Sequence, residues 1–353
     1  ALPRDELARL AAQAFRTLPV ETFGYGDAAG YRPLRVELAA HLHTTRGVAC
    51  TPDQIVLTSG AQQAIWLCAH VLANAGDAVW LEDPGYRGAR TTFERSQLRL
   101  IPVPVDEKGI DVDAGLAAAP RARLAYVTPS HQYPMGVPLA VSRRLQLLDW
   151  AEQTKAWIIE DDYDSEYRYG APLLPSLFSL DGGRRVLYIG SLSKVLAPAL
   201  RLGYLVVPAA LAGPIRDAKA VLDRQGPTIM QAVLAQFMES GGYSRHLNRM
   251  RRIGNRRWQV MMDGLLPLAN AGLLHVAGSP AGLHHTVQYR PGVDDRMVHD
   301  QARRHGLYLP PLSGYGIVNR PGGSVLGFAA YPDANLRAGL ATLQTILEKQ
   351  AGT

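Results

Sequence analysis

One lysine stands where a strand should end. Ser191-Leu192-Ser193-Lys194 follows directly on the apolar run Val186-Leu187-Tyr188-Ile189 and Gly190. A lysine at the carboxyl end of a strand, in a crevice, is placed to form a Schiff base, because partial burial favours the neutral, nucleophilic amine. The hydroxyls of Ser191 and Ser193, with Arg201 seven residues after the lysine, make a set able to hold a phosphate dianion. Arginine suits phosphate because its planar fork donates two parallel hydrogen bonds.

In isolation the segment is unspecific. A surface lysine after a strand is its plain reading, and Ser-x-x-Lys also matches the nucleophile motif of penicillin-binding proteins and serine β-lactamases. Those need a later Lys-Thr-Gly, which this sequence lacks. Three further segments give it company. Trp157-Ile158-Ile159 runs into Glu160-Asp161-Asp162-Tyr163-Asp164, where an acid can pair with a protonated pyridine nitrogen and a tyrosine can donate to a phenolate oxygen. A metal site is the other reading of the acids, but no His or Cys falls nearby at ligand spacing, so no metal is expected. Leu57-Thr58-Ser59-Gly60-Ala61-Gln62-Gln63 reads as a strand, a small-residue turn and a helix start. Backbone N–H groups at such a start bind phosphate, although a simple cap at Ser59 explains the turn equally. Glu82-Asp83-Pro84-Gly85-Tyr86 closes another strand, and an aromatic there can stack on a flat ring.

The elements that must position these residues are legible. Ile55 to Leu57, Ala78 to Leu81, Leu98 to Val103, Leu124 to Val127, Trp157 to Ile159, Val186 to Ile189 and Leu202 to Val207 read as apolar strands. Helical patterns at Ala61 to Ala73 and Val141 to Thr154 separate some of them. Near-continuous apolar strands alternating with helices predict an α/β fold with a mostly parallel sheet, whose ligands gather at the carboxyl ends of the strands. A long basic helix is expected from about Gln231 to Leu266, carrying Arg245, Arg249, Arg251, Arg252, Arg256 and Arg257. A solvated helix face accounts for it better than a DNA-binding face. Strands at Leu283 to Tyr289 and Ser324 to Ala330, with helices near Arg296 to His305 and Asn335 to Lys349, predict a smaller α+β domain.

In order and spacing, the four chemistry-bearing segments resemble the fold-type I, pyridoxal-5′-phosphate (PLP)-dependent aminotransferases. That resemblance implies a PLP-binding large domain over 41–238, a small C-terminal domain over 239–353 and an N-terminal segment over 1–40. It implies that Lys194 is the Schiff-base lysine, that Asp161 partners the pyridine nitrogen, that Tyr163 faces the phenolate oxygen and that Tyr86 covers the ring. Ala61, Gln62, Ser191, Ser193 and Arg201 would hold the phosphate. Tyr25, in Phe23-Gly24-Tyr25-Gly26-Asp27, would reach the phosphate of a neighbouring subunit, which implies a homodimer with shared sites. The glycines there also mimic a dinucleotide loop, but the spacing is off by one and no buried strand precedes them.

A narrower resemblance lies in Thr128-Pro129-Ser130-His131-Gln132-Tyr133-Pro134-Met135-Gly136, in Glu82 to Tyr86 and in Ile159 to Tyr167. These are similar to the MocR/GabR transcriptional regulators of the GntR class, which join a winged helix-turn-helix to an aminotransferase-like effector domain. The implied function is sensing of a small amine, an amino acid or PLP itself, with DNA bound only through a domain absent from this chain. A free-standing aminotransferase is the alternative. Two departures favour the sensor, in which little net transaminase turnover is expected: Tyr133 stands where those enzymes carry an Asn, and Val325 stands where they carry a carboxylate-anchoring Arg. Arg320, Arg87 and Arg90 are candidate substitutes for the latter.

Composition agrees with this class. The 353 residues are 47% hydrophobic and 19% charged, with a formal net charge of +6. Only Cys50 and Cys68 are present, which suits a reducing cytoplasm. No apolar stretch reaches membrane-spanning length. The first residues, from Ala1, read as the edge of a longer chain.

Overall fold

A computed structural model describes residues 2–170 and 174–351. The first strands are β1 (Ile55–Thr58), β2 (Ala78–Asp83), β3 (Arg99–Asp106) and β4 (Gly109–Ile110). They are followed by β5 (Leu124–Val127), β6 (Trp157–Asp162), β7 (Val186–Ser191) and β8 (Gly203–Val206). All eight form one sheet in the order β1-β8-β7-β6-β5-β2-β3-β4. The pairs from β3 through β2, β5 and β6 to β7 are parallel, as expected. The strand read from Leu202 to Val207 is the exception: β8 runs antiparallel to both β1 and β7. Its first residues therefore lie at the edge where the parallel strands end, and Gly203 pairs with Ser191.

Helices α1 (Arg4–Thr17) and α2 (Arg32–Arg46) precede the sheet. Within it come α3 (Ala61–Leu72), α4 (Arg87–Arg95), α5 (Val112–Ala118), α6 (Val141–Thr154), α7 (Leu177–Asp181) and α8 (Leu192–Val195). After it come α9 (Ala212–Asp223), α10 (Thr228–Glu239) and α11 (Gly242–Asn270). Successive residues of the central strands point to opposite faces. Ile55, Leu57, Trp80 and Ile158 join Leu38 of α2 and Trp150 of α6 in one core. Val56, Val79, Leu81 and Ile159 join Ile65 of α3 and Phe93 of α4 in the other. Burial of both faces is why these strands read as unbroken apolar runs rather than alternating ones. Position 40 lies within α2, and 238 lies one residue before the end of α10.

The segment read as one helix from Gln231 to Leu266 is two, α10 and α11. The chain breaks at Ser240 and Gly241, where Gly241 takes φ 71°, a left-handed conformation that suits glycine. Apolar spacing continues through both helices, so periodicity alone did not reveal the break. The basic run is largely spent on internal ties. Arg245 pairs with Glu6 at 3.3 Å, Arg251 with Glu166 at 2.7 Å and Arg256 with Asp333 at 2.5 Å. Arg257 donates to the Ala329 carbonyl.

A second, antiparallel sheet has the order β11-β10-β9, built from β9 (Leu274–Ala277), β10 (His284–Tyr289) and β11 (Gly323–Gly327). It packs with α11, α12 (Asp295–Arg304) and α13 (Asp333–Ala351). Strand β9 escaped the sequence reading, and β11 stops three residues before the expected Ala330. Among the described residues no helix is long and apolar enough to cross a membrane.

Candidate functional site

At the carboxyl edge of the large sheet lies a cavity of about 360 Å³. One wall comes from strand ends and the turns after them: Ala61, Tyr86, Thr128, Asp161, Tyr163 and Ser191, with Lys194 just beyond β7. The facing wall includes His284, next to Leu283, and Val325 and Gly327 from the second sheet. Parallel strands with covered faces leave their ends as the open place for polar groups, which is why residues far apart in sequence converge here.

Asp161 lies one residue before the end of β6 and is buried. Its Oδ2 accepts the Tyr126 hydroxyl at 2.6 Å, while Oδ1 has no hydrogen-bond partner among the described residues. Burial raises its pKa to about 7, opposed by the Tyr126 hydroxyl and the Lys194 charge. A buried carboxylate oxygen left unpaired costs free energy until a donor arrives. A cationic ring N–H entering the cavity would satisfy that oxygen and hold the acid ionised. This orphaned atom, beside a lysine and a phosphate-type turn, fits PLP.

The turn itself is built from β1, α3 and the start of β8. Gly60 caps α3 at φ 112°, a conformation disfavoured for residues with a side chain. A Cβ on Gly203 would come within 2.9 Å of the Gly60 Cα, so β8 presses against the turn. Arg201 precedes β8 in a left-handed conformation with φ 50°, and its Nη1 lies 4.0 Å from where a Gly60 Cβ would stand. The first N–H groups of α3, at Ala61 and Gln62, have no partner within a helix. A helix start and a guanidinium thus share one corner, as an anion requires.

The expected residues are brought together unevenly. Ala61, Tyr86, Asp161, Tyr163, Ser191 and Lys194 line the cavity, whereas Gln62, Ser193, Arg201 and Tyr25 do not. The Gln62 side chain is held by α4, donating to the Gly88 carbonyl at 2.8 Å and to Thr92 Oγ1 at 2.6 Å. It accepts from the Tyr86 hydroxyl at 3.2 Å and so positions that ring; only its backbone N–H faces the turn's task. Ser193 Oγ donates to the Leu202 carbonyl at 3.1 Å and accepts the Leu202 N–H at 3.2 Å. Its hydroxyl pins the lysine segment to the arginine turn. Tyr163 donates to the His131 carbonyl at 2.9 Å. Tyr25 is 85% exposed, with the Arg224 guanidinium 4.9 Å from its ring centre.

Sequence reasoning missed several groups. Tyr126 lies on the strand next to β6, and only the sheet order reveals that its hydroxyl meets Asp161. His131 Nδ1 lies 2.9 Å from Asp164 Oδ2, and His131, Asp164 and His284 present ligand-type atoms within 4.8 Å of one another. The expectation that no histidine neighbours the acid cluster is therefore corrected: two do, from segments 33 and 120 positions away. Their visible work is hydrogen bonding behind Tyr163, with His284 Nε2 at 3.1 Å from the Pro134 carbonyl. Tyr315 reaches the cavity because Asp83, at the end of β2, accepts the N–H groups of Ile317, Val318 and Asn319 at 2.6, 2.9 and 2.8 Å. Tyr133 sits opposite, its hydroxyl 3.2 Å from that of Tyr315.

Known proteins share both the sequence and the fold. The aminotransferase class I and II family matches residues 4–343. The probable rhizopine catabolism regulatory protein MocR of Rhizobium meliloti is 33% identical over 98% of this chain and 70% of its own length. The multiple substrate aminotransferase of Thermococcus profundus superposes with a TM-score of 0.92 at 25% identity, covering 99% of this chain and 89% of its own. LysN, the alpha-aminoadipate aminotransferase of Thermus thermophilus, crystallised with N-(5′-phosphopyridoxyl)-L-leucine, gives 0.90 at 28% identity over 99% of this chain and 90% of its own. With a family match over nearly its whole length and a regulator this similar, the chain belongs to the aminotransferase class I and II family, in the branch that includes the MocR-type transcriptional regulators.

Proposed function

We propose that this chain is the effector-sensing domain of a MocR/GabR-like transcriptional regulator, holding PLP in the cavity beside Lys194 and responding to a small amine-bearing ligand. DNA contact in this reading belongs to a winged helix-turn-helix domain outside these residues. The observation that carries it is the unpaired Asp161 Oδ1 in a cavity that also holds Lys194. Likeness to MocR favours the regulator over a free-standing enzyme. The working division of the chain is a cofactor-holding part over 41–238, a smaller part over 239–353 and an N-terminal segment over 1–40.

Each residue has a task in this reading. Lys194 attaches the cofactor, and Asp161 accepts its ring N–H while Tyr126 keeps that carboxylate in place. Tyr163 stands beside the ring's phenolate oxygen, and Tyr86 covers one face. Arg201, Ser191 and the backbone at Ala61 and Gln62 hold the phosphate, while Ser193 fixes the arginine turn. Bound there, PLP supplies an electron sink for bonds at the carbon bearing a ligand's nitrogen. Fast transamination needs that carbon held in one orientation, which can contribute about 7 to 11 kcal/mol to lowering a barrier. Val325 offers the cavity no charge for such a hold. Steady-state assay with common amino donors and 2-oxoglutarate should therefore give little ketoacid over many minutes. Turnover near ~10 per second, an ordinary enzymatic rate, would overturn the sensor reading and favour an aminotransferase.

The same reading makes the protein a homodimer with Tyr25 completing a neighbour's site. Val20, Phe23, Tyr25, Val221 and Leu222 are all exposed large apolar side chains. Gln225 ties their two segments together by donating to the Gly24 carbonyl at 3.0 Å. An apolar patch of this kind favours burial against another surface. Sedimentation should report a two-fold particle. A monomer that binds PLP at full occupancy would contradict it.

A further inference from the structure

Behind Tyr163 the chain leaves a niche for one imidazole. The His131 side chain is 2% exposed and sits between Gly136 and Gly282, which both take φ 76°. A Cβ on Gly136 would come within 3.0 Å of His131 Nε2, and one on Gly282 would overlap the ring and Asp164. The Asp164 side chain is 1% exposed. Both are thus closed off within a single chain, and their contacts do not wait for a neighbouring subunit. Neither lines the cavity, whereas Tyr163 does, so any effect of the pair on the cavity passes through a neighbour such as this tyrosine.

His131 Nδ1 lies 2.9 Å from Asp164 Oδ2 and 3.1 Å from the Tyr163 hydroxyl, which itself donates to the His131 carbonyl at 2.9 Å. A carboxylate only accepts, so the hydrogen facing Asp164 is the imidazole's own. With that proton on Nδ1 the lone pair falls on Nε2, the ring atom without a partner among the described residues. The Nδ1–H then also faces the tyrosine oxygen and fills one of its lone pairs. A hydroxyl that accepts a hydrogen bond becomes a better donor of its own proton. Burial first, and Asp164 second, push the pKa of Tyr163 well above its usual value, so the group stays a hydroxyl with a proton to give. Of the other titratable groups about this ring, Tyr133 and Asp161 act in the same direction. His284 stacks 6.4 Å from it, and Lys194 lines the same cavity.

The geometry points to His131 as a positioning residue for Tyr163: its Nδ1–H, oriented by Asp164, holds the tyrosine oxygen so that the tyrosine's proton is given to the phenolate oxygen of bound PLP. The inference rests on PLP occupying this cavity with Tyr163 beside that oxygen. A proton given there weakens the phenolate's hold on the nitrogen joined to Lys194, so that nitrogen loses its own proton at lower pH. Visible absorbance of the PLP-loaded protein, titrated with pH, follows this loss. Tyr163→Phe should raise the midpoint by at least about one unit, a tenfold change in proton affinity. His131→Leu should raise it by at least about half as much, since it weakens the same donor. His131→Asn keeps an N–H near the place of Nδ1 and should bring the midpoint back toward the wild type. In the Tyr163→Phe background His131→Leu should add nothing beyond about 0.3 of a unit, because both changes act on one hydroxyl. A His131→Leu protein with a lowered Tm but a wild-type midpoint would make the histidine merely structural and overturn the inference. A shift that persists in full without the Tyr163 hydroxyl would overturn it too. An unchanged midpoint in Tyr163→Phe would sink it while leaving PLP binding intact, whereas failure of the wild-type protein to take up PLP would sink both. Should His131→Leu not fold, proton NMR of the wild-type protein decides. A hydrogen-bonded His131 N–H signal that moves on PLP uptake supports the inference, and one that is absent or unmoved overturns it.

Discussion

Lys194→Ala should abolish the yellow colour of the PLP-loaded protein and the cofactor adduct trapped on lysine by borohydride. The effect is expected to be all-or-none, because the sequence holds five lysines and only Lys194 lines the cavity. Lys219, which is buried, is paired with Asp223 at 2.6 Å. The four-residue α8 that carries Lys194 is anchored around it: Ser193 bonds to Leu202 on both sides, and the Tyr167 hydroxyl donates to the Lys194 carbonyl at 3.3 Å. These contacts do not use the lysine amine, so the variant should keep its fold, which far-ultraviolet circular dichroism would report. A covalent adduct still forming on another lysine would show that the assignment is wrong.

Arg201→Ala should weaken PLP binding by about 2 to 4 kcal/mol, since it removes a charge-assisted, two-pronged contact to a dianion. That range corresponds to roughly 30- to 1000-fold in Kd. Arg201→Lys keeps the charge but loses the fork, and its Kd should fall between the two. Equilibrium titration with PLP measures all three proteins. A Kd unchanged in Arg201→Ala would place the phosphate away from the corner where β8 begins. The backbone N–H groups of Ala61 and Gln62 remain in either variant, so binding should weaken rather than vanish.

Much of the fold was legible in the sequence because both faces of the sheet are covered. Runs such as Val186 to Ile189 and Leu124 to Val127 are apolar at every position, a pattern that suits strands packed on two sides. The site was legible for a related reason. Asp161, Lys194 and Tyr86 each sit within a few residues of a strand's carboxyl end, where the architecture gathers ligands. Local chemistry also set the phosphate turn, because Gly60 must adopt a conformation that glycine reaches without strain.

What the sequence by itself determined, then, was the class of sheet, the lysine and acid at its edge, and the family these imply. Tertiary structure decided the rest, for reasons of distance. The direction of β8 is set by its pairing with β1 and β7, and that direction carries Arg201 to Gly60. The Tyr126 bond to Asp161 depends on which strands are neighbours, which no local pattern encodes. His131 meets Asp164 because β5 and β6 are neighbours in the sheet, and His284 joins them because the second sheet closes over the first. Gln62 and Ser193, right in type for holding phosphate, were claimed by Thr92 and Leu202, neighbours visible only in three dimensions. The same closure set Val325 and a wall of tyrosines around the cavity. Its charge is thus a property of packing: a buried surface takes its electrostatics from whichever side chains the fold brings together, not from those adjacent along the chain.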